Sequence, residues 1–273
     1  MRKSYPSDIT REQFEVIRPI LDRAKKTTHP RKYDLCDIFC TVLHLIKEGC
    51  ARRGIPHDFP KRENVRYHYD IWAKPDENGF SLLDGILRDL VETERETDKR
   101  EAQTTMLIID SKTSQNADAA KTKGYDAGKK TGIKRHVGVD ALGLPHVIAL
   151  TAADATDRDG AVWMIASFCE ATDYLDLLKK VLTDGGYTGE KFAEAVKSVS
   201  GAEAEVAKRS ELHTFKVLPK RRIAERTFGQ IDKCRRLWKN CERLLHNSLQ
   251  MISLAFIGVS QKEGKIANKT PKA

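Results

Sequence analysis

The sequence predicts a small all-α region followed by a mixed α/β domain of one sheet with helices. Three observations carry this. Apolar residues recur at helical spacing through the first hundred positions. From about residue 104 the pattern changes to short apolar runs, and "RHVGVD" and "HVIALT" flank a Gly/Pro turn as a hairpin would. Beyond that hairpin, helical stretches alternate with strand runs, which places helices on a mixed sheet.

The elements follow in order. Thr10 with Gln13 forms a capping-box start ahead of Phe14, Ile17 and Leu21. Pro19 is expected to kink or split that helix, because it lacks an N–H and its ring crowds the preceding turn. Asp34 precedes the stripe Leu35, Ile38, Phe39, Val42 and Ile46. After the Gly/Pro-punctuated "GIPHDFPKRE", the run "RENVRYHYDIW" reads as a third helix with Val65, Tyr69 and Trp72 inward. Ser81 with Asp84 caps a fourth, with Leu83, Ile86, Leu87 and Leu90 as its inner face.

Residues 92–105 are charged and read as a helix end or linker. "TMLIID" is a short strand that finishes on Asp110, and residues 159–180 read as a helix. "KKVLTD" is a strand that finishes on Asp184, Glu190 to Val199 is a helix, and "AEAEVAKR" suits another strand. From Ile223 to Gly258 the chain reads as helical, with Leu245, Leu249, Ile252 and Phe256 on one side. The expected division is residues 1–100, 101–260 and a flexible tail, 261–273.

Composition narrows the class. Forty per cent of the 273 residues are hydrophobic, enough for a core. No apolar run is long enough to span a bilayer, and "MRKSYPSDIT" lacks the apolar segment of a secretion signal, so no membrane is expected and a cytoplasmic location is. The six cysteines form no CxxC pair, which favours reduced thiols over zinc ligation. The net charge of +9 favours a polyanionic partner. It is concentrated: residues 208–243 hold twelve Lys or Arg against four acids.

Candidate chemistry begins with Asp110 and Asp184. A carboxylate directly after a buried run sits at a sheet edge, where neighbouring strands can pair two of them. Like charges that close repel unless a cation lies between, and such a pair suits magnesium. Either residue could instead cap a turn. Glu225 lies in "KRRIAERTFGQIDKCRRLWKN" among Arg221, Arg222 and Arg226. It is either half of a surface ion pair or a third ligand in a field of phosphate-binding cations. Two metals held by three carboxylates could cleave and transfer phosphodiesters. Lys129, Lys130, Lys134 and Arg135 in "GYDAGKKTGIKRH" are candidate DNA-backbone contacts beside Asp110, and so are Lys233, Arg235 and Arg236 in the basic run. Arg62 and Arg66 could face DNA if their helix is the second of a helix-turn-helix-like unit. His136 and His146 are read as structural, and Asp140, Asp154, Asp157 and Asp159 as turn residues and decoys.

"DSKTSQNADAAKTKGYDAGKKTGIKRHVGVDALG", "LTDGGYTG" and "AERTFGQIDKCRRLWKNCER" together resemble DDE transposases of bacterial insertion sequences, the IS-five-like group, over roughly residues 104–257. "EGCARRGIPHDFPKRENVRYHYDIW" resembles the amino-terminal helical region of the same group. The resemblance implies a ribonuclease-H-like catalytic core in which Asp110, Asp184 and Glu225 are the catalytic, metal-binding acids. Arg221, four residues before Glu225, matches the arginine of the signature. The signature's tyrosine and lysine positions hold Leu218 and Asp232, with Lys233 one step on, and Gln230 stands where members tend to carry a tryptophan. The implied cofactor is Mg2+ or Mn2+, as two ions. The implied partners are double-stranded DNA, as element ends and target, and a second copy in a synaptic homodimer, in the bacterial cytoplasm with the nucleoid. In the implied reaction water cleaves the element end, and the freed 3′ hydroxyl attacks target DNA. A DNA-binding remnant without catalysis, and a nuclease without strand transfer, are the other readings of these residues.

Overall fold

The computed structural model describes residues 2–24, 31–126, 131–206 and 219–263. The chain forms two compact units: Met1–Arg100 with Ile231–Trp238 and Gln250–Ala273, and Glu101–Gln230 with Lys239–Leu249.

The first unit is helical. In α1 (Arg11–Arg23) the Thr10 hydroxyl accepts from the Gln13 N–H and the Gln13 side chain accepts from the Thr10 N–H, completing the capping box. The helix is not split at Pro19. The proline forfeits a hydrogen bond, but buried Phe14, Ile17 and Leu21 bracket it, and burial of each is worth about 2 kcal/mol. α2 (Leu35–Glu48) starts at Asp34, whose carboxylate accepts from the Cys36 N–H at 2.9 Å. It stops at Gly49, where φ is +68°. α3 (Arg62–Trp72) buries Val65, Tyr69 and Trp72. α4 (Leu82–Thr97) opens on the Ser81/Asp84 capping box. The Asp84 carboxylate also accepts from the Gln250 amide at 2.8 Å and the Ser253 hydroxyl at 3.0 Å. Those two donors lie on the last helix, α8 (Leu245–Glu263), whose second half is buried nearly all round.

In the second unit the described residues form one six-stranded sheet. β1 (Met106–Gln115) lies between β3 (Thr131–Val139), antiparallel, and β5 (Lys180–Thr183), parallel. β4 (Pro145–Ala152) and the two-residue β2 (Gly124–Tyr125) pair with β3, and β6 (Glu203–Val206) extends the parallel side beyond β5. α5 (Asp157–Ala171) and α6 (Glu190–Ser200) cover one face. There Leu107, Ile109 and Val181 pack with Met164, Ile165 and Phe192. This mixed sheet with flanking helices is a ribonuclease-H-like fold.

Three expectations change. β1 does not end at Asp110 but runs on to Gln115, because "SKTSQ" pairs with β3 although it is not apolar. α5 stops at Ala171, with the Thr172 N–H bonded to the Phe168 carbonyl, so the helix does not reach residue 180. The stretch 223–258 is two helices, α7 (Pro219–Asp232) and α8, separated by a 3-10 turn at Arg235–Leu237 and irregular chain.

Candidate active site

The parallel register pairs Ile108 with Leu182, so Asp110 and Asp184 stand level two residues further on. Asp110 lies where the β1–β5 pairing has ended while β1–β3 pairing continues, opposite Val137. Side chains alternate along a strand. Leu107, Ile109 and Val181 face α5 and α6. Asp110 and Asp184 therefore lie on the other face.

Each aspartate is oriented by a backbone N–H. Asp110 Oδ1 accepts from the Ser111 N–H at 2.8 Å. Asp184 Oδ1 accepts from the Gly186 N–H at 2.9 Å and caps the 3-10 turn Gly185–Tyr187. A Cβ at Gly186 would lie 3.1 Å from that carboxylate oxygen, so the close approach suits glycine.

Glu225 is on α7. Ala224, Thr227 and Phe228 form the buried side of that helix, and Glu225 and Arg226 are exposed. The Thr227 hydroxyl contacts the Gly143 carbonyl at 3.2 Å, which seats α7 on the β3–β4 turn. Among the described residues, no three His, Cys, Asp or Glu side chains form a group that could hold a metal ion. The structure thus brings Asp110 and Asp184 level and does not gather Glu225 with them. The donor chemistry of the pair fits a hard divalent cation, which takes carboxylate oxygens.

A polar cluster that the sequence reading missed lies under the start of α5. The Ser111 hydroxyl donates to Asp157 Oδ1 at 2.7 Å, and Lys134 Nζ approaches the same oxygen at 2.8 Å and donates to the Ala155 carbonyl at 2.6 Å. Burial works against the Asp157 charge, but the Lys134 and Ser111 hydrogen bonds outweigh it and hold the carboxyl below its usual range. The buried Tyr187 hydroxyl has no hydrogen bond of good geometry. Burial, with the nearby Asp157, Asp110 and Asp184 carboxylates, pushes that phenol up. His136 contacts the Thr151 hydroxyl at 3.0 Å, and burial lowers it to about 4, so it is neutral. The only signals in the sequence are adjacency: Ser111 follows Asp110, and Tyr187 closes "DGGY".

The expected DNA contacts separate. Lys134 and Arg135 face inward: Lys134 is spent on Asp157, and Arg135 is 3% exposed, so neither presents a cation at the surface. Burial of the β3 strand is the reason, since both its faces are covered. Arg62 and Arg66 are exposed on α3, beside Glu63 at 2.6 Å and Asp70 at 3.3 Å. Arg226 and Lys233 are exposed; Arg235 lies 3.5 Å from Glu48, and Arg236 donates to the Cys50 carbonyl at 3.4 Å. Lys129 and Lys130 lie outside the described residues, as do the side chains of Arg221 and Arg222.

The other acids have local duties. Asp140 accepts from the Leu142 and Leu144 N–H groups in the β3–β4 turn, and Asp159 helps cap α5 with Thr156. His146 lies between Asp140, at 3.4 Å, and the Tyr174 hydroxyl, at 2.9 Å.

A family model described as the transposase DDE domain matches residues 101–257. A second, for transposases of the IS4/5 family, matches residues 9–76. No curated protein matches the chain. No described helix is long and apolar enough to cross a membrane. With its ribonuclease-H-like sheet and a match that spans more than half its length, the chain belongs to the DDE transposases of the IS4/IS5 type.

Proposed function

We propose that this transposase binds the terminal inverted repeats of its element and performs metal-dependent DNA strand cleavage and strand transfer, with Asp110, Asp184 and Glu225 as its catalytic acids. The observation that carries the reading is the level alignment of Asp110 on β1 with Asp184, the residue that follows the parallel strand β5. Those two aspartates would hold Mg2+ or Mn2+, with Glu225 joining them from α7. When bound, two such ions would activate the attacking hydroxyl and neutralise the leaving oxygen.

The chain's own residues supply position. Backbone N–H groups pre-set Asp110 and Asp184, and preorganised charge costs no rearrangement during reaction. Exposed Arg226 and Lys233 would grip phosphates, and α3 with Arg62 and Arg66 would meet the element end. No side chain serves as nucleophile, since the attacking groups are water and a DNA 3′ hydroxyl. Two-ended chemistry calls for a homodimer in the synaptic complex, in the cytoplasm with the nucleoid.

One observation favours a second reading, a DNA-binding remnant without catalysis: Glu225 is exposed and belongs to no three-acid group among the described residues. The test is a cleavage and strand-transfer assay on DNA from the flanks of the gene, with Mg2+ or Mn2+, comparing wild type with Asp184→Asn. Cutting and joining by wild type, lost in the variant while DNA binding survives, is the expected result. Binding without cutting by wild type supports the remnant, and cutting without joining supports a nuclease.

A further inference from the structure

Asp110 and Ser111 are consecutive on β1, so their side chains point to opposite faces of the sheet. The two faces are nonetheless connected through the Ser111 residue. Its N–H holds Asp110 Oδ1 at 2.8 Å, and its hydroxyl, on the α5 side, is held by Asp157 Oδ1 at 2.7 Å. Asp157 is the first residue of α5 and is itself fixed by Lys134, whose side chain is only 13% exposed. Lys134 is tied in turn to the Ala155 carbonyl in the turn before α5. Lys134 therefore bonds both the Asp157 carboxylate and the Ala155 carbonyl, so the ion pair and the α5 start are fixed together. The chain of contacts runs from the Ala155 carbonyl through Lys134, Asp157 and Ser111 to the carboxylate of Asp110.

From this geometry we infer that Ser111 and Asp157 are positioning residues for Asp110: they fix the peptide plane whose N–H orients the Asp110 carboxylate toward divalent metal. The inference rests on the reading of Asp110 and Asp184 as the metal-binding pair. Asp157 acts here through Oδ1, which Lys134 and Ser111 share. Residues one shell behind a metal ligand commonly change affinity or activity by about 10–100-fold when removed. Ser111→Ala removes only the hydroxyl and leaves the Lys134–Asp157 pair intact, so the fold is retained. Ser111→Thr restores the hydroxyl in a residue that strands accept.

The experiment measures Mn2+ affinity by electron paramagnetic resonance, DNA cleavage kinetics and thermal melting. It compares wild type, Ser111→Ala, Ser111→Thr, Asp157→Asn and Asp184→Asn in the full chain. Ser111→Ala is expected to weaken Mn2+ binding and lower kcat by about tenfold, with KM for DNA and the melting temperature unchanged, and Ser111→Thr to recover both. Wild-type Mn2+ affinity in Ser111→Ala and in a folded Asp157→Asn, with Asp184→Asn weakened, overturns the positioning role and leaves the active-site reading standing. Unaltered Mn2+ binding in Asp184→Asn, or none in wild type, overturns the active-site reading and the positioning role with it.

Discussion

Asp110 on β1 and Asp184, the residue after β5, are level neighbours two residues past the last paired rung of these parallel strands, Ile108 with Leu182. Where the β1–β5 pairing stops, the strands no longer share backbone hydrogen bonds and a polar ligand can approach between them. The pairing thus fixes the position of the pair before any ligand arrives.

Asparagine at either position keeps the carbonyl oxygen that accepts the backbone N–H and removes the charge. Asp110→Asn and Asp184→Asn should therefore each melt within about 2 °C of wild type, an estimate for substitutions costing well under 1 kcal/mol. Cleavage should fall by more than about a hundredfold, beyond the usual loss for residues behind a ligand. Calorimetry and the cleavage assay check the two halves.

Gly143 has φ of +85°, and a Cβ there would lie 3.3 Å from the Ile223 side chain on α7. Gly143→Ala should cost about 1–2 kcal/mol through the left-handed backbone alone. Because the same turn seats Thr227, it should also displace Glu225 and lower kcat. Urea unfolding and single-turnover cleavage measure these effects. Wild-type kcat would show that the seat does not set Glu225.

His136 titrates at about 4 in the fold against 6.5 when unperturbed. Its folded value is depressed, so the unfolded chain takes up the proton first. The stability from neutral His136 is fully present above pH 6.5 and is lost as pH falls toward 4. The loss should approach about 3 kcal/mol. His136→Gln keeps a donor for Thr151 and cannot titrate. Urea midpoints at several pH values should fall less steeply between pH 6.5 and 4 in that variant.

Arg62 and Arg66 are exposed and paired with surface acids, pairs that water and salt weaken. Releasing them costs little, so DNA phosphates can claim them. Arg62→Ala and Arg66→Ala should each reduce the slope of log affinity against log salt by about one, without changing the melting temperature. Arg135→Ala, by contrast, should act on stability because that side chain is buried. Filter binding across a salt series separates the cases.

The helix starts were legible because caps are local: Thr10 with Gln13, Asp34, and Ser81 with Asp84 each satisfy N–H groups within three residues. Strand runs such as "KVLT" were legible because burial on both sides demands continuous apolar residues. The aspartates stood out for the same reason, as polar residues beside such runs. β1 beyond Asp110 was not legible, since "SKTSQ" becomes strand only by pairing with β3. The inward turn of Lys134 was hidden too, because its partner Asp157 comes from the start of another element.

By itself, then, the sequence determined what local chemistry decides: the caps, the apolar periods, the basic run and the identity of the acids. Only the tertiary structure decided which of them meet. Strand register made Asp110 and Asp184 level, and the fold turned Lys134 and Arg135 inward while leaving Arg62 and Arg66 at the surface. It also returned the chain to the helical unit at Ile231 and again at Gln250, where Gln250 and Ser253 satisfy Asp84. Those outcomes depend on contacts between residues far apart in the chain, and no local pattern encodes such a contact.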